Sequence, residues 1–203
     1  MATYKEIKGT AVQSLTGGTS TIEGQIWYST PTGNLKLTAA TTADAWSTGG
    51  AYPAVFQGGA GFGTQTAAVG AGGTPSPVFN LKTFEYDGLT WTAGNNMARA
   101  SGSPYTSAYI AGSGTLTAGW AAGGGYPSQN NLTENYNGTS WTASATMPAN
   151  RRGGNCTGPQ AAGLYFGGNA PGAQAGTYEY DGEGWTAGGS LNTARTNAAG
   201  SGP

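Results

Sequence analysis

The chain's 203 residues fit one domain or two small ones, and 38 glycines, roughly a fifth of the total, exclude a helical bundle. With 8 Lys and Arg against 9 Asp and Glu, the net charge of −1 excludes both a basic nucleic-acid surface and an acidic chain swollen by its own repulsion. Six Trp, 11 Tyr and 5 Phe argue for a folded chain, whereas the complete lack of histidine removes the commonest general base, the commonest zinc and copper ligand and every His-containing triad.

From the N-terminus, Met1-Ala2-Thr3-Tyr4-Lys5-Glu6-Ile7-Lys8 is polar and reads as no export signal, and no run approaches the roughly 18 apolar residues of a membrane span. A soluble protein without membrane insertion is expected. Residues 1–24, including Ser14-Leu15-Thr16-Gly17-Gly18-Thr19-Ser20, are polar and turn-rich and read as an arm. Next, Gln25-Ile26-Trp27-Tyr28, the turn Thr30-Pro31-Thr32-Gly33, Leu35-Lys36-Leu37-Thr38 and Ala45-Trp46-Ser47 predict three strands.

Beyond residue 46 the chain repeats itself. Glu85-Tyr86-Asp87-Gly88-Leu89-Thr90-Trp91-Thr92-Ala93 recurs as Asn135-Tyr136-Asn137-Gly138-Thr139-Ser140-Trp141-Thr142-Ala143 and as Glu179-Tyr180-Asp181-Gly182-Glu183-Gly184-Trp185-Thr186-Ala187. A glycine doublet precedes each copy by about a dozen residues: Gly72-Gly73, Gly123-Gly124 and Gly167-Gly168. Asp or Asn followed by Gly tolerates positive φ, so each Tyr-Asp/Asn-Gly step predicts a tight hairpin between a strand ending at Tyr and one starting near Trp. Residues 66–71, 116–121 and 161–166 predict a second strand in each unit. Residues 54–57, 108–111 and 154–157 predict a first. Four short strands therefore make one unit of about 45 residues, which cannot bury both faces alone and must pack against its neighbours.

The residual segment Thr196–Pro203 aligns with the first strand of a fourth unit, while residues 25–47 supply three strands that lack a first. The expected fold is thus an all-β propeller over 25–203 with about four blades of four antiparallel strands, one blade split between N- and C-terminal segments. Closure between subunits, as a homo-oligomer or fibre, is the competing reading. The doublet followed by Tyr and then Trp resembles the Kelch repeat over roughly residues 46–203. Met97-Ala98-Arg99, Met147-Pro148-Ala149-Asn150-Arg151 and Leu191-Asn192-Thr193-Ala194-Arg195 stand where Kelch repeats often carry Met-Pro and Arg.

The block from Glu23 to Lys36, leading into Trp46-Ser47-Thr48-Gly49-Gly50 and the repeats, resembles bacteriophage virion proteins, notably tail- or head-fibre and related surface proteins. That resemblance implies a virion location, other virion proteins as partners, an anchoring arm at 1–24 and outward-facing repeats.

With strands alternating up and down, the loop between second and third strands shares a rim with the connector to the next unit. The Tyr-Asp-Gly turns take the other. The first rim gathers Phe79, Tyr126, Asn130 and Asn169 with Arg99, Arg151, Arg152 and Arg195. Amides and aromatics there suit uncharged sugars, and arginine adds carboxylate recognition. A lectin-like adhesin for host surface glycans is therefore the alternative to a purely structural fibre or decoration protein. Arg99 and Arg195 read as ties between units, and Arg151 and Arg152 as candidate contacts. Tyr86, Trp91, Tyr136, Trp141, Tyr180 and Trp185 read as packing between units, and Asp87, Asn137 and Asp181 as turn residues rather than calcium ligands.

No catalytic activity, cofactor or metal is expected. Kelch-type copper oxidases need histidine ligands, and sialidase-like chemistry needs carboxylates near an arginine cluster. Glu85, Asp87, Glu134, Glu179, Asp181 and Glu183 are expected at the hairpins, opposite the arginines. Cys156, with no histidine to activate it, reads as a small buried side chain.

Overall fold

The computed structural model describes the backbone of residues 13–14, 26–29 and 34–37 and all atoms of residues 48–54, 57–73, 81–99 and 107–200. By its contacts the chain divides into two units, Met1–Ser47 and Thr48–Pro203. In the first unit β1 (Gln13–Ser14), β2 (Ile26–Ser29) and β3 (Asn34–Leu37) form one sheet, β2 antiparallel to β3 and β1 parallel to β2. Gln13–Ser14 fall within the segment 1–24 that the sequence reads as an arm. Two polar residues have no apolar alternation to betray a strand. The strand expected at Ala45–Ser47 lies outside the described residues.

The second unit contains three sheets of four strands. Sheet I is β4 (Ala60–Thr64), β5 (Ala67–Ala71), β6 (Thr83–Tyr86) and β7 (Trp91–Gly94). Sheet II is β8 (Ala111–Thr115), β9 (Ala118–Ala122), β10 (Thr133–Tyr136) and β11 (Trp141–Ser144). Sheet III is β12 (Asn155–Thr157), β13 (Gly163–Phe166), β14 (Thr177–Tyr180) and β15 (Trp185–Ala187). In each sheet the strands lie side by side in chain order and every neighbour is antiparallel. A 3-10 turn at Gln160–Ala162 is the only helix among the described residues.

Two first strands begin later than the sequence reading places them: β4 at Ala60 rather than 54, and β8 at Ala111 rather than 108. Both are glycine-rich runs of low intrinsic strand preference. Crowding explains the composition. A Cβ on Gly112 would stand 2.7 Å from the Cβ of Ala60, and one on Gly163 would stand 2.4 Å from the Trp120 ring. The first strands neighbour one another, β4 against β8 and β8 against β12. The equivalent residues Gly61, Gly112, Cys156 and Gly200 all line one cavity of about 190 Å³.

The cores lie between sheets. Ala60, Val69, Ala71 and Met97 of sheet I and its connector pack with Ala121, Tyr136 and Trp141 of sheet II. Trp120, Ala122 and Met147 pack in turn with Cys156, Tyr165 and Tyr180 of sheet III. Burying one large aromatic removes roughly 150–250 Å² from water, about 4–6 kcal/mol before entropy is counted. Each sheet thus draws its stability from its neighbour.

Candidate functional site

At one end of the sheets are the hairpins. Tyr86 stands opposite Trp91, Tyr136 opposite Trp141 and Tyr180 opposite Trp185, with ring centroids 4.9, 4.8 and 4.7 Å apart. The turns between them are closed by side chains. Asp87 Oδ1 accepts from the amides of Leu89 and Thr90, Asn137 Oδ1 from Thr139 and Ser140, and Asp181 Oδ1 from Glu183 and Gly184. The Thr90 and Leu89 amides hold the Asp87 carboxyl below its ordinary pKa, and those of Gly184 and Glu183 do the same for Asp181.

The Tyr–Trp pairs of sheets II and III reach into the preceding sheet. Trp141 Nε1 donates to Thr83 Oγ1 at 2.8 Å and Trp185 Nε1 to Thr133 Oγ1 at 3.1 Å. The Tyr136 hydroxyl donates to Glu85, and burial followed by that carboxylate pushes its pKa up. Tyr180 donates to Asn135 Oδ1 at 3.0 Å, at the position equivalent to Glu85. Tyr136, Trp141, Tyr180 and Trp185 therefore occupy the joints between sheets.

At the opposite end the loops between second and third strands meet the connectors. The second glycine of each doublet donates its N–H to a connector carbonyl: Gly73 to Ser107, Gly124 to Arg151 and Gly168 to Arg195. These glycines hold φ of +84, +103 and +92°, which a side chain would resist. The rim expected from strand parity is thus assembled by backbone hydrogen bonds.

The arginines on it divide into two kinds. Arg99 is buried, its Nε 2.7 Å from Glu134 Oε2 and its Nη1 2.5 Å from the Gly123 carbonyl, so it ties the sheet I connector to sheet II. Glu134 is accordingly not at the hairpin rim where the sequence reading places it. It stands where Phe84 and Tyr178 stand in the other sheets and is drawn inward by the guanidinium. Arg151 lies over the Tyr178 ring at 5.9 Å and donates to its hydroxyl at 3.2 Å, tying the next connector to sheet III. Its backbone pairs with Asn130, whose Oδ1 caps the Leu132 amide. Arg195, exposed, donates to the Thr193 carbonyl at 3.4 Å.

Arg152 points the other way. Its guanidinium lies 5.2 Å over the Tyr126 ring and donates to the Pro127 carbonyl at 2.9 Å, while its backbone pairs with Asn169. Gln129 donates to Asn169 Oδ1 at 3.2 Å and joins the loops of sheets II and III. Tyr126, Arg152 and Asn169 thereby line one pocket of about 190 Å³ with Tyr109, Thr196 and Asn197. Phe79 lies outside the described residues.

Sequence reasoning missed Tyr109, Thr196 and Asn197. Tyr109, Gly153 and Asn197 are equivalent residues with φ of 54, 58 and 50°, and the Gly and Asn at this position were the available signal. Cys156 is buried and its thiol pKa is pushed well up by burial. Among the described residues no three His, Cys, Asp or Glu side chains are grouped to hold a metal ion.

No protein-family model matches this chain, and no curated protein matches it.

Proposed function

We propose that this chain is a non-enzymatic virion structural protein, a fibre component or a capsid or tail decoration, that displays a small Kelch-like β-propeller. The supporting observation is a division of labour. Residues that obey the repeat pack sheet on sheet, whereas residues that break it, Tyr109, Tyr126 and Arg152, gather on one rim. A rigid body with one variable edge suits display and contact, and its near-neutral charge fits partners found by shape. The resemblance of residues 23–50 to phage surface proteins supports the location, with 1–24 as the anchoring arm and other virion proteins as partners. An antibody against the chain is expected to decorate phage particles from the same source in electron micrographs. Particles left bare would contradict the reading.

The proposed propeller has a fourth blade made of residues 25–47 and the C-terminal segment. Both flanks of the three sheets support it. The Gly50 carbonyl accepts from Trp91 Nε1 at 3.2 Å as the Ala145 carbonyl accepts from Trp185 Nε1 at 3.0 Å, and Gly50 follows Trp46 by the same four residues that separate Ala145 from Trp141. At the other flank Asn197 N donates to the Gly153 carbonyl at 2.7 Å, as Gly153 N donates to that of Tyr109 at 2.9 Å. Asn155 Nδ2 holds the Ala198 carbonyl at 2.8 Å. Deleting residues 196–203 is expected to lower the melting temperature sharply, and an unchanged value would refute closure.

A further inference from the structure

Arg152 points away from the joints between sheets and lines the pocket beside Tyr126. The ion pair among the described residues is Arg99 with Glu134, and Arg152 has no carboxylate partner there. Its one side-chain hydrogen bond uses Nη1, which leaves Nε and Nη2 as donors. The pocket beside it is lined by no acidic residue. Asn169, whose Oδ1 accepts from Gln129, and Asn197 bring side-chain amides to the lining, and Thr196 adds a hydroxyl. The polar side of this pocket therefore offers both donors and acceptors and carries one positive charge with no carboxylate beside it.

Its other side is aromatic. Tyr126 and Tyr109 are 47% and 36% exposed, among the few large apolar side chains turned to solvent, and their ring centroids lie 6.2 Å apart. Tyr109 also holds a left-handed backbone at φ 54°, where the equivalent residues are Gly153 and Asn197. A bulky residue kept in that conformation, at the mouth of a pocket, is the kind of local strain that clusters at ligand sites. A volume of about 190 Å³ is that of a single small ring rather than a long chain.

From these observations we infer that the pocket formed by Tyr109, Tyr126, Arg152, Asn169, Thr196 and Asn197 binds a carboxylated pyranose, such as a uronic acid residue of a surface glycan. The tyrosine rings take the apolar face of the sugar, the guanidinium takes its carboxylate and the amides and hydroxyl take its ring hydroxyls. This deepens the reading of the rim as a contact surface and names its ligand class.

The test is a titration followed by amide and side-chain NMR with methyl β-glucuronide and, separately, methyl β-glucoside. The glucuronide is expected to bind about tenfold more tightly and to shift the Asn169 and Asn197 side-chain amides; Arg152→Gln is expected to abolish that preference. Equal affinity for the two sugars, binding of neither, or a preference unchanged in R152Q overturns the assignment. Should R152Q lose its dispersed spectrum, Arg152→Lys keeps the charge without the planar fork. It is expected to cut the preference severalfold, and an undiminished preference overturns the assignment equally. Particle labelling reads the virion proposal independently, so a protein that decorates particles but ignores both sugars loses only the present inference.

Discussion

Trp141 of sheet II donates its indole N–H to the hydroxyl of Thr83, 2.8 Å away at the start of β6 in sheet I. Trp185 and Thr133 repeat the relation between sheets III and II at 3.1 Å. Thr83 and Trp141 are both buried, so neither polar group has water to fall back on. Thr83→Val removes the acceptor and is expected to cost about 1–3 kcal/mol in urea unfolding, because the indole N–H is then orphaned. Trp141→Phe in the T83V background is expected to cost less than it does alone. Strict additivity of the two changes would show that the bond contributes nothing to holding the sheets together.

Arg99 and Glu134 form a second joint of different chemistry, a buried ion pair in which burial pulls the guanidinium pKa down against the pull of the carboxylate. Arg99→Met strands a buried charge and is expected to destabilise by about 3–5 kcal/mol. Phe84 and Tyr178 occupy the position of Glu134 in the other sheets, so the site tolerates an aromatic. The double variant R99M/E134Y is expected to recover most of the loss. A double variant as unstable as R99M would mean that the pair is irreplaceable.

The hairpins were the most legible part of the fold, because Asp or Asn before Gly states its turn chemistry locally: three such steps became three side-chain-closed turns. The second strands also stood close to where their small residues placed them. Of the first strands only the third, at Asn155–Thr157, did so; the other two did not, because glycine at positions 61, 63, 112 and 114 reads as loop until the crowding of neighbouring strands is known. Glu134 was misplaced for a related reason. Its partner Arg99 is 35 residues away, and the repeat gave no cue that one sheet had exchanged an aromatic for a charge. On the rim, Tyr126, Arg152 and Asn169 were legible as a group from strand parity. Tyr109 was hidden inside a stretch read as strand.

The turn carboxylates set an acid limb for stability. Amide hydrogen bonds depress the pKa of Asp87 and Asp181 in the folded chain, so their contribution is complete above the unfolded value near about pH 4 and is lost as pH falls through the lower folded value. Asn137 makes the same two bonds without titrating. The double variant D87N/D181N is therefore expected to show a flatter fall of melting temperature below about pH 4 than the parent chain. Superimposable acid limbs would rule these two carboxyls out as its source.

Tyr109 offers a contrast between stability and binding. Replacing a packed aromatic by a small residue commonly costs about 3–5 kcal/mol. Tyr109→Gly, however, relieves a left-handed tyrosine, so its measured loss is expected to stay below about 1 kcal/mol. Affinity for methyl β-glucuronide should fall nonetheless. A loss above about 3 kcal/mol would mark Tyr109 as a core residue, contrary to its role at the pocket mouth.

Leu164, Glu179 and Thr186 hold on sheet III the positions that Val69, Glu85 and Thr92 hold on sheet I, where the next sheet delivers its Tyr–Trp pair. They line a hollow of about 490 Å³. If the fourth blade comes from the same chain, this face is covered internally and no second copy is needed. Sedimentation equilibrium of the full chain should then return a single species of 20.2 kDa at every concentration. A stable trimer, or a mass that climbs without limit as concentration rises, would contradict closure within one chain.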